Sequence, residues 1–358
     1  MDILRNQERA IFRLRELYQR FGYLPYRMNR FEEYDLYVRN KDFLVSQEII
    51  TFADHNGRLL ALKPDVTLSI IKNAPGEPGA VQKLYYNESV YRMDKGTHTF
   101  REIMQAGLEC VGDLGEYEIA ETVLLAVKSL QLLGNRFVLN LSHMGLVSAV
   151  LSGSGLSEDA AREAAEYLQQ KSIHSIAALC QRHGVSGEKL MLLAQLRGSA
   201  AEVIPALSNT LTTADELRAL EQLRGICEAL AVDGYKDAVQ VDFSVGSDLK
   251  YYSGVVFRGY LEGIPQSILS GGQYDLLLKR MGKKGKAIGF AVNVDLLQRG
   301  EAESAAVDTL ILHSADVPPT QILAAVEQAE KEGSVLVAGS FPKDRTWKKL
   351  VELKGEGK

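Results

Sequence analysis

Between Lys83 and Gly112 the chain carries three polar or special residues at alternate positions, Gln105, Gly107 and Glu109, inside a run that otherwise reads as a strand. Alternate residues of a strand share a face. Arg101, Ile103, Gln105, Gly107 and Glu109 therefore share one, and Glu102, Met104, Ala106, Leu108 and Cys110 the other. The second face is mostly core material. The first is notched, because Gly107 offers no side chain between an amide and a carboxylate. Glycine inside a strand often marks a close approach by a ligand. The preceding run puts Tyr86, Glu88, Val90 and Arg92 on one face. An arginine at its end, beside the loop 93–99, suits an anion. The chemistry on offer is a notch between two hydrogen-bonding groups that a small ligand can approach, with an arginine suited to an anion. Two plainer readings compete. One is an exposed hairpin with a long loop. The other is a helix over 101–112, which also aligns Gln105 with Glu109 but holds Gly107 at a penalty of about 1 kcal/mol.

Other candidates are weaker alone. Asp65 and Thr67 stand at the head of a short helix after Pro64, where capping explains them as well as binding does. Tyr251 and Tyr252 follow one another in a strand-like run, so one can enter a pocket while the other packs. His143, at a strand end, reads as structural, and His174 and His183 as surface residues without metal-ligand companions. The glycines near 271 and 285 fit neither a phosphate loop nor a dinucleotide fingerprint. Cys110, Cys180 and Cys227 lie far apart, which predicts buried thiols in a reducing compartment and neither a disulfide frame nor a zinc site.

These residues need a scaffold, and 358 residues with 46% hydrophobic and 24% charged content supply a globular one. A net charge of −5 provides no basic field for nucleic acid or membrane. The charged N-terminus and the lack of a long apolar run predict a cytoplasmic chain with no membrane span. An amphipathic helix is expected over 2–21, with apolar residues at Ile11, Leu14, Tyr18 and Phe21. A hairpin should turn at His55-Asn56-Gly57. Asp113 and Glu116 have the spacing of a capping box ahead of a buried stripe at Ile119, Val123, Val127 and Leu130. Residues 150–232 read as a helical insertion, capped by Ser157 and by Thr213 with Glu216. Strand character returns at 238–245. Residues 306–358 read as a small α/β domain closed by a lysine-rich helix carrying Trp347. The core is then 1–149 with 233–305.

In this order the motifs resemble a class II aminoacyl-tRNA synthetase core, and specifically histidyl-tRNA synthetase, over roughly 1–300. LALKPDVT (60–67) is similar to the loop that holds the α-amino group of histidine. VYR, ending at Arg92, resembles the second class II motif. QAGLECVG (105–112) resembles the strand lining the histidine pocket, and KYYSGVVF (250–257) the histidine-specific tyrosine motif. GGQYDLLLKRMG with AIGFAVNVDLL resembles the third class II motif. The resemblance implies an α+β fold, an antiparallel sheet flanked by helices. It also implies a histidine site made by Asp65, Thr67, Arg92, Gln105, Glu109, Tyr251 and Tyr252. Asp65 and Thr67, assisted by Gln105, would hold the ammonium. Glu109 and one of the tyrosines would bracket the imidazole.

The departures from the family pattern carry the functional expectation. Ser247 stands where the synthetase has an activating arginine, and Lys250 where an aspartate is usual. Leu296, after Asp295, stands where the third motif ends in arginine. Losing two such cations removes roughly four or more orders of magnitude of adenylation. The C-terminal domain is short, and Asn29 replaces the first motif's interface proline. The pattern resembles the ATP phosphoribosyltransferase regulatory subunits. That resemblance implies a subunit without catalytic residues, metal or cofactor. Its implied partners are a short-form catalytic subunit and further copies of itself, with histidine as effector. It would act in histidine biosynthesis. A divergent histidyl-tRNA synthetase and another amino-acid-binding paralogue remain the alternatives. Whether inhibitory histidine takes this pocket or a subunit interface stays open at this level.

Overall fold

The computed structural model describes residues 5–41, 44, 48–74, 79–94, 96–246, 251–298, 306–343 and 345–355. It divides into two compact units, Asn6–Leu296 and Leu297–Lys358 with Met1–Arg5.

The larger unit begins with α1 (Asn6–Arg20), β1 (Leu24–Pro25), β2 (Phe31–Glu33) and α2 (Tyr34–Arg39). The hairpin β3 (Thr51–Ala53) and β4 (Leu59–Leu62) follows, then α3 (Thr67–Asn73). Two long strands come next, β5 (Val81–Met93) and β6 (Phe100–Gly112), then α4 (Glu116–Leu133), β7 (Phe137–His143) and α5 (Met144–Gly153). The segment expected to be helical contains α6 (Glu158–Gln169), α7 (Ile173–His183), α8 (Glu188–Gln195), α9 (Ala200–Ser208) and α10 (Ala214–Val232), with one two-residue strand, β8 (Arg197–Gly198). The unit closes with β9 (Val239–Asp242), β10 (Val255–Leu261), β11 (Leu269–Gln273), α11 (Asp275–Arg280) and β12 (Lys286–Asn293).

Among the described residues, nine strands form one sheet in the order β1-β5-β6-β12-β11-β10-β7-β9-β8. Its centre, from β5 to β7, is antiparallel throughout. An antiparallel sheet flanked by helices is the α+β arrangement expected from the motifs. One face packs on α1 and α4. Leu14 and Tyr18 are fully buried, the Tyr18 ring lies edge-on to Phe290 at 6.0 Å, and Phe290 in turn meets Phe257 at 6.2 Å. Ile119, Val123, Val127 and Leu130 of α4 are fully buried, as the stripe requires, each contributing about 1.5–3 kcal/mol. The opposite face carries the polar residues of the candidate site.

Local signals behave as expected at several ends. Ser157 Oγ accepts the Ala160 amide and Thr213 Oγ1 the Glu216 amide, and Gly184 ends α7 in the left-handed region at φ 66°. Asp113 is a correction. The cap of α4 is made two residues later, where Glu118 Oε2 accepts the Gly115 amide at 2.8 Å. His143 is structural: Nδ1 accepts the Leu146 amide and Nε2 meets Gln222, so the ring caps α5.

The smaller unit holds β13 (Ala306–His313), α12 (Pro319–Glu330), β14 (Val335–Ala338) and β15 (Thr346–Leu353) in a parallel sheet ordered β14-β13-β15. The closing helix expected around Trp347 is therefore a strand. Lysine, leucine and glutamate favour helix locally. Trp347, Val351 and Leu353, however, alternate with Lys348 and Glu352, and pairing along β13 decides the outcome.

Candidate ligand-binding site

The site begins with the loop 63–66, which the sheet holds tightly. Lys63 is 2% exposed and ion-paired to Glu88 of β5. Its carbonyl accepts the Tyr91 amide at 2.9 Å and its own amide bonds Arg30 O at 3.1 Å. Glu88 also accepts the Met28 amide at 3.2 Å. The loop thus sits fixed over β5, and Asp65 and Thr67 point where the sheet's polar face begins.

Asp65, Thr67, Arg92, Gln105, Glu109, Tyr251 and Tyr252, all named from sequence, line one cavity of about 80 Å³. Tyr86, Tyr274, Ser270, Gly289 and Ala291 complete much of the wall. Asp65 serves two purposes. Its Oδ1 accepts the Leu68 amide at 2.9 Å, so the capping reading holds, while Oδ2 lies 3.7 Å from Arg92 Nη2. Arg92 is further tied by Nε to Pro64 O at 2.7 Å. Burial raises the Asp65 carboxyl above its ordinary range, against the opposing pull of Arg92 and the Leu68 and Thr67 amides.

Glu109 is 2% exposed and lies on β6. Thr67 Oγ1 donates to its Oε1 at 2.6 Å, and the Tyr274 hydroxyl donates to Oε2. Burial nonetheless pushes its pKa up to about 8, opposed by those two hydrogen bonds and reinforced by Asp65. Arg92 is the one cation in the lining among the described residues. Two buried carboxyls thus line a cavity with a single guanidinium, which lies beside Asp65. Such a cavity favours a ligand that brings positive charge and N–H donors. Gln105 is buried and turns its amide to the same space.

Room for the Glu109 carboxylate comes from across the ladder. Gly289 of β12 is its register partner, and a Cβ there would sit 1.8 Å from Glu109 Oε2. Gly272 of β11 does the same for Tyr252, whose ring would lie 2.7 Å from a Cβ. The sequence reading of Gly107 needs correction. The space left by its missing side chain is filled by the Tyr86 hydroxyl, 2.5 Å from where a Cβ would stand. Tyr251 and Tyr252 also depart from expectation. They precede β10 in a bend, so strand alternation does not apply. Their rings pack edge to face at 4.6 Å, and both line the cavity.

Tyr274 and Gly289 escaped the sequence reading. Tyr274 follows the GGQ run at the start of α11, and only the fold carries it back onto Glu109. Among the family departures, Ser247 and Lys250 lie outside the described residues. Leu296 is buried at 7% exposure, with no cation in its place. Asp295 beside it accepts the Met104 amide at 2.9 Å and the Gln7 side chain, tying α1 to β6. Asn29 is exposed.

Comparison with known proteins adds a family to this geometry. The family model described as histidyl-tRNA synthetase matches residues 3–297. The chain is 30% identical over 290 residues to an ATP phosphoribosyltransferase regulatory subunit from Caldanaerobacter subterraneus subsp. tengcongensis, covering 79% of this chain and 75% of that one. A solved structure from Bacillus halodurans, described as an ATP phosphoribosyltransferase regulatory subunit/histidyl-tRNA synthetase, superimposes with a TM-score of 0.77 at 24% identity, covering 100% of this chain and 97% of the other. A chain of the ATP phosphoribosyl transferase complex from Thermotoga maritima matches with a TM-score of 0.65 at 18% identity, over 82% of this chain and 98% of that one.

Proposed function

The chain belongs to the histidyl-tRNA synthetase family and, within it, to the ATP phosphoribosyltransferase regulatory subunits; from that premise we propose that it senses histidine for a partner enzyme and performs no chemistry itself. The observation that carries this reading is the cavity lined together by Asp65, Thr67, Gln105, Glu109, the tyrosines and one arginine. Free histidine brings an ammonium for Asp65 and an imidazole for Glu109. Thr67 gives its hydroxyl hydrogen to Glu109 and keeps lone pairs for the ammonium. Among the described residues, Arg92 supplies the one positive charge of the lining, beside Asp65. No catalytic residue is assigned. The apolar Leu296, at the position of a family cation, argues against adenylation.

The partner is a short-form catalytic phosphoribosyltransferase subunit, in line with the complex from Thermotoga maritima. Self-association accompanies it. Among the described residues, no helix is long and apolar enough to cross a membrane and no cluster of metal-ligating side chains occurs. Histidine acts by binding one conformation of the complex better than the other, since equal affinity shifts nothing. A coupling of ~1–3 kcal/mol is ordinary for such a switch.

The test has two arms. The purified chain is assayed for histidine-dependent ATP–pyrophosphate exchange and tRNA charging, with none expected. It is then mixed with the short catalytic subunit encoded in the same genome, which should co-purify with it and turn over faster. Exchange at an ordinary synthetase rate would favour the divergent synthetase instead.

A further inference from the structure

The row of residues that floors the candidate pocket does not stop at its wall. Cross-strand partners project to the same face of a sheet. Register links Tyr86 of β5 to Gly107, Gly107 to Ala291, Ala291 to Ser270, Ser270 to Arg258, Arg258 to Asn140 and Asn140 to Gln240. Tyr86, Ala291 and Ser270 line the pocket. The continuation, Arg258, Asn140 and Gln240, lies outside it.

This continuation is short of partners. Arg258 is half-buried and makes no ion pair or side-chain hydrogen bond among the described residues. Asn140 is 7% exposed, and its buried Oδ1 has no hydrogen-bond partner among the described residues. Gln240 and Ser270 likewise make no side-chain hydrogen bonds. Buried polar groups in native proteins are nearly always paired, and a guanidinium withdrawn from water calls for an anion. The nearest carboxylate along β9, Asp242, is already held by Lys171 at 2.7 Å and Arg197 at 3.6 Å. The row itself therefore carries one positive charge and several neutral hydrogen-bonding groups, and no acid. Arg92 cannot serve the same spot. It stands on β5, four strand spacings or about 19 Å across the sheet from β10.

We propose that Arg258, with Asn140, Gln240 and Ser270, forms a second subsite on this face that binds an oxyanion. The guanidinium fork takes two oxygens, and the amides and the hydroxyl take the rest. Two sources share this chemistry, a phosphate group and the carboxylate of a molecule occupying the neighbouring pocket. The inference rests on the row and not on the pocket's ligand, so a failure of histidine to bind leaves the phosphate arm of the test intact.

The experiment is calorimetry on the full chain at constant ionic strength, titrating inorganic phosphate and pyrophosphate, with and without saturating histidine. Saturable binding is expected for the unmutated chain. Arg258→Gln should weaken it by about ten- to a hundredfold, the loss of a charge-assisted pair. Gln240→Glu, which adds a negative charge at a half-buried position, should weaken it comparably and covers the case in which the arginine variant fails to fold. Competition by histidine assigns the subsite to the pocket ligand's carboxylate, and independent binding assigns it to a separate phosphate. Either outcome supports the subsite. Non-saturating heats for both anions, or equal affinity in the folded Arg258→Gln and Gln240→Glu variants, would overturn it.

Discussion

Glu109→Gln isolates the electrostatic character of the pocket. Glutamine keeps the shape, and its amide can still meet the Thr67 and Tyr274 hydroxyls. What it removes is a titrating carboxyl whose pKa rises from 4.5 to about 8 on folding, chiefly through burial. The folded chain therefore holds this proton more tightly than the unfolded one. The stability tied to it is complete below about pH 4.5 and declines as pH rises through about 8. A rise of that size corresponds to roughly 4–5 kcal/mol in full, and to about 3 kcal/mol by pH 7. Chemical denaturation of the wild type and the variant at pH 5, 7 and 9 measures the difference. The variant should match the wild type within about 1 kcal/mol at pH 5 and exceed it by about 3–5 kcal/mol at pH 9. Parallel curves across this range would show that Glu109 does not hold a proton, and the reading of the cavity as short of positive charge would fail.

Histidine affinity should be level between about pH 6.5 and 8, because a neutral imidazole meets a protonated Glu109 there and the ion pair forms without net proton exchange. Below that window binding must release a proton, and above it binding must take one up, so affinity falls on both sides; calorimetry across pH with a monotonic profile would contradict this. Gly289→Ala should abolish histidine binding and lower stability by about 1–3 kcal/mol, since its Cβ meets the Glu109 carboxylate; unchanged binding would place Glu109 elsewhere. Glu88→Ala should destabilise by about 3–5 kcal/mol by leaving Lys63 buried and unpaired, and adding Lys63→Met should recover much of the loss. Thermal unfolding of the single and double variants decides that point.

That the residues of the candidate site come together around one cavity was legible in the sequence for one reason. Its residues sit in segments with strong local character. Gln105 and Glu109 lie on a long alternating strand, and Asp65 and Thr67 follow a proline at a helix start. What remained hidden was set by tertiary pairing. Nothing near Tyr274 in the sequence points to Glu109, 165 residues away. The significance of Gly289 exists only in register with β6. A glycine inside a strand at position 107 signals a close approach, but the group that approaches is Tyr86 from the neighbouring strand. Trp347 went astray because lysines and a glutamate surround it, and only pairing with β13 extends the segment. Tyr251 and Tyr252 were assigned strand alternation that Ser253 and Gly254 interrupt.

The central claim is that histidine regulates the partner enzyme through the Asp65–Glu109 pocket. A histidine titration of phosphoribosyltransferase activity tests it most directly, using the complex reconstituted with wild-type or Glu109→Ala chain. Removing a charged hydrogen-bonding partner of the imidazole should weaken histidine by about 1.5–3 kcal/mol. The midpoint of inhibition should then move up by roughly ten- to a hundredfold while the complex still assembles. An unmoved midpoint in an assembled complex would contradict the account and place the inhibitory histidine outside this pocket.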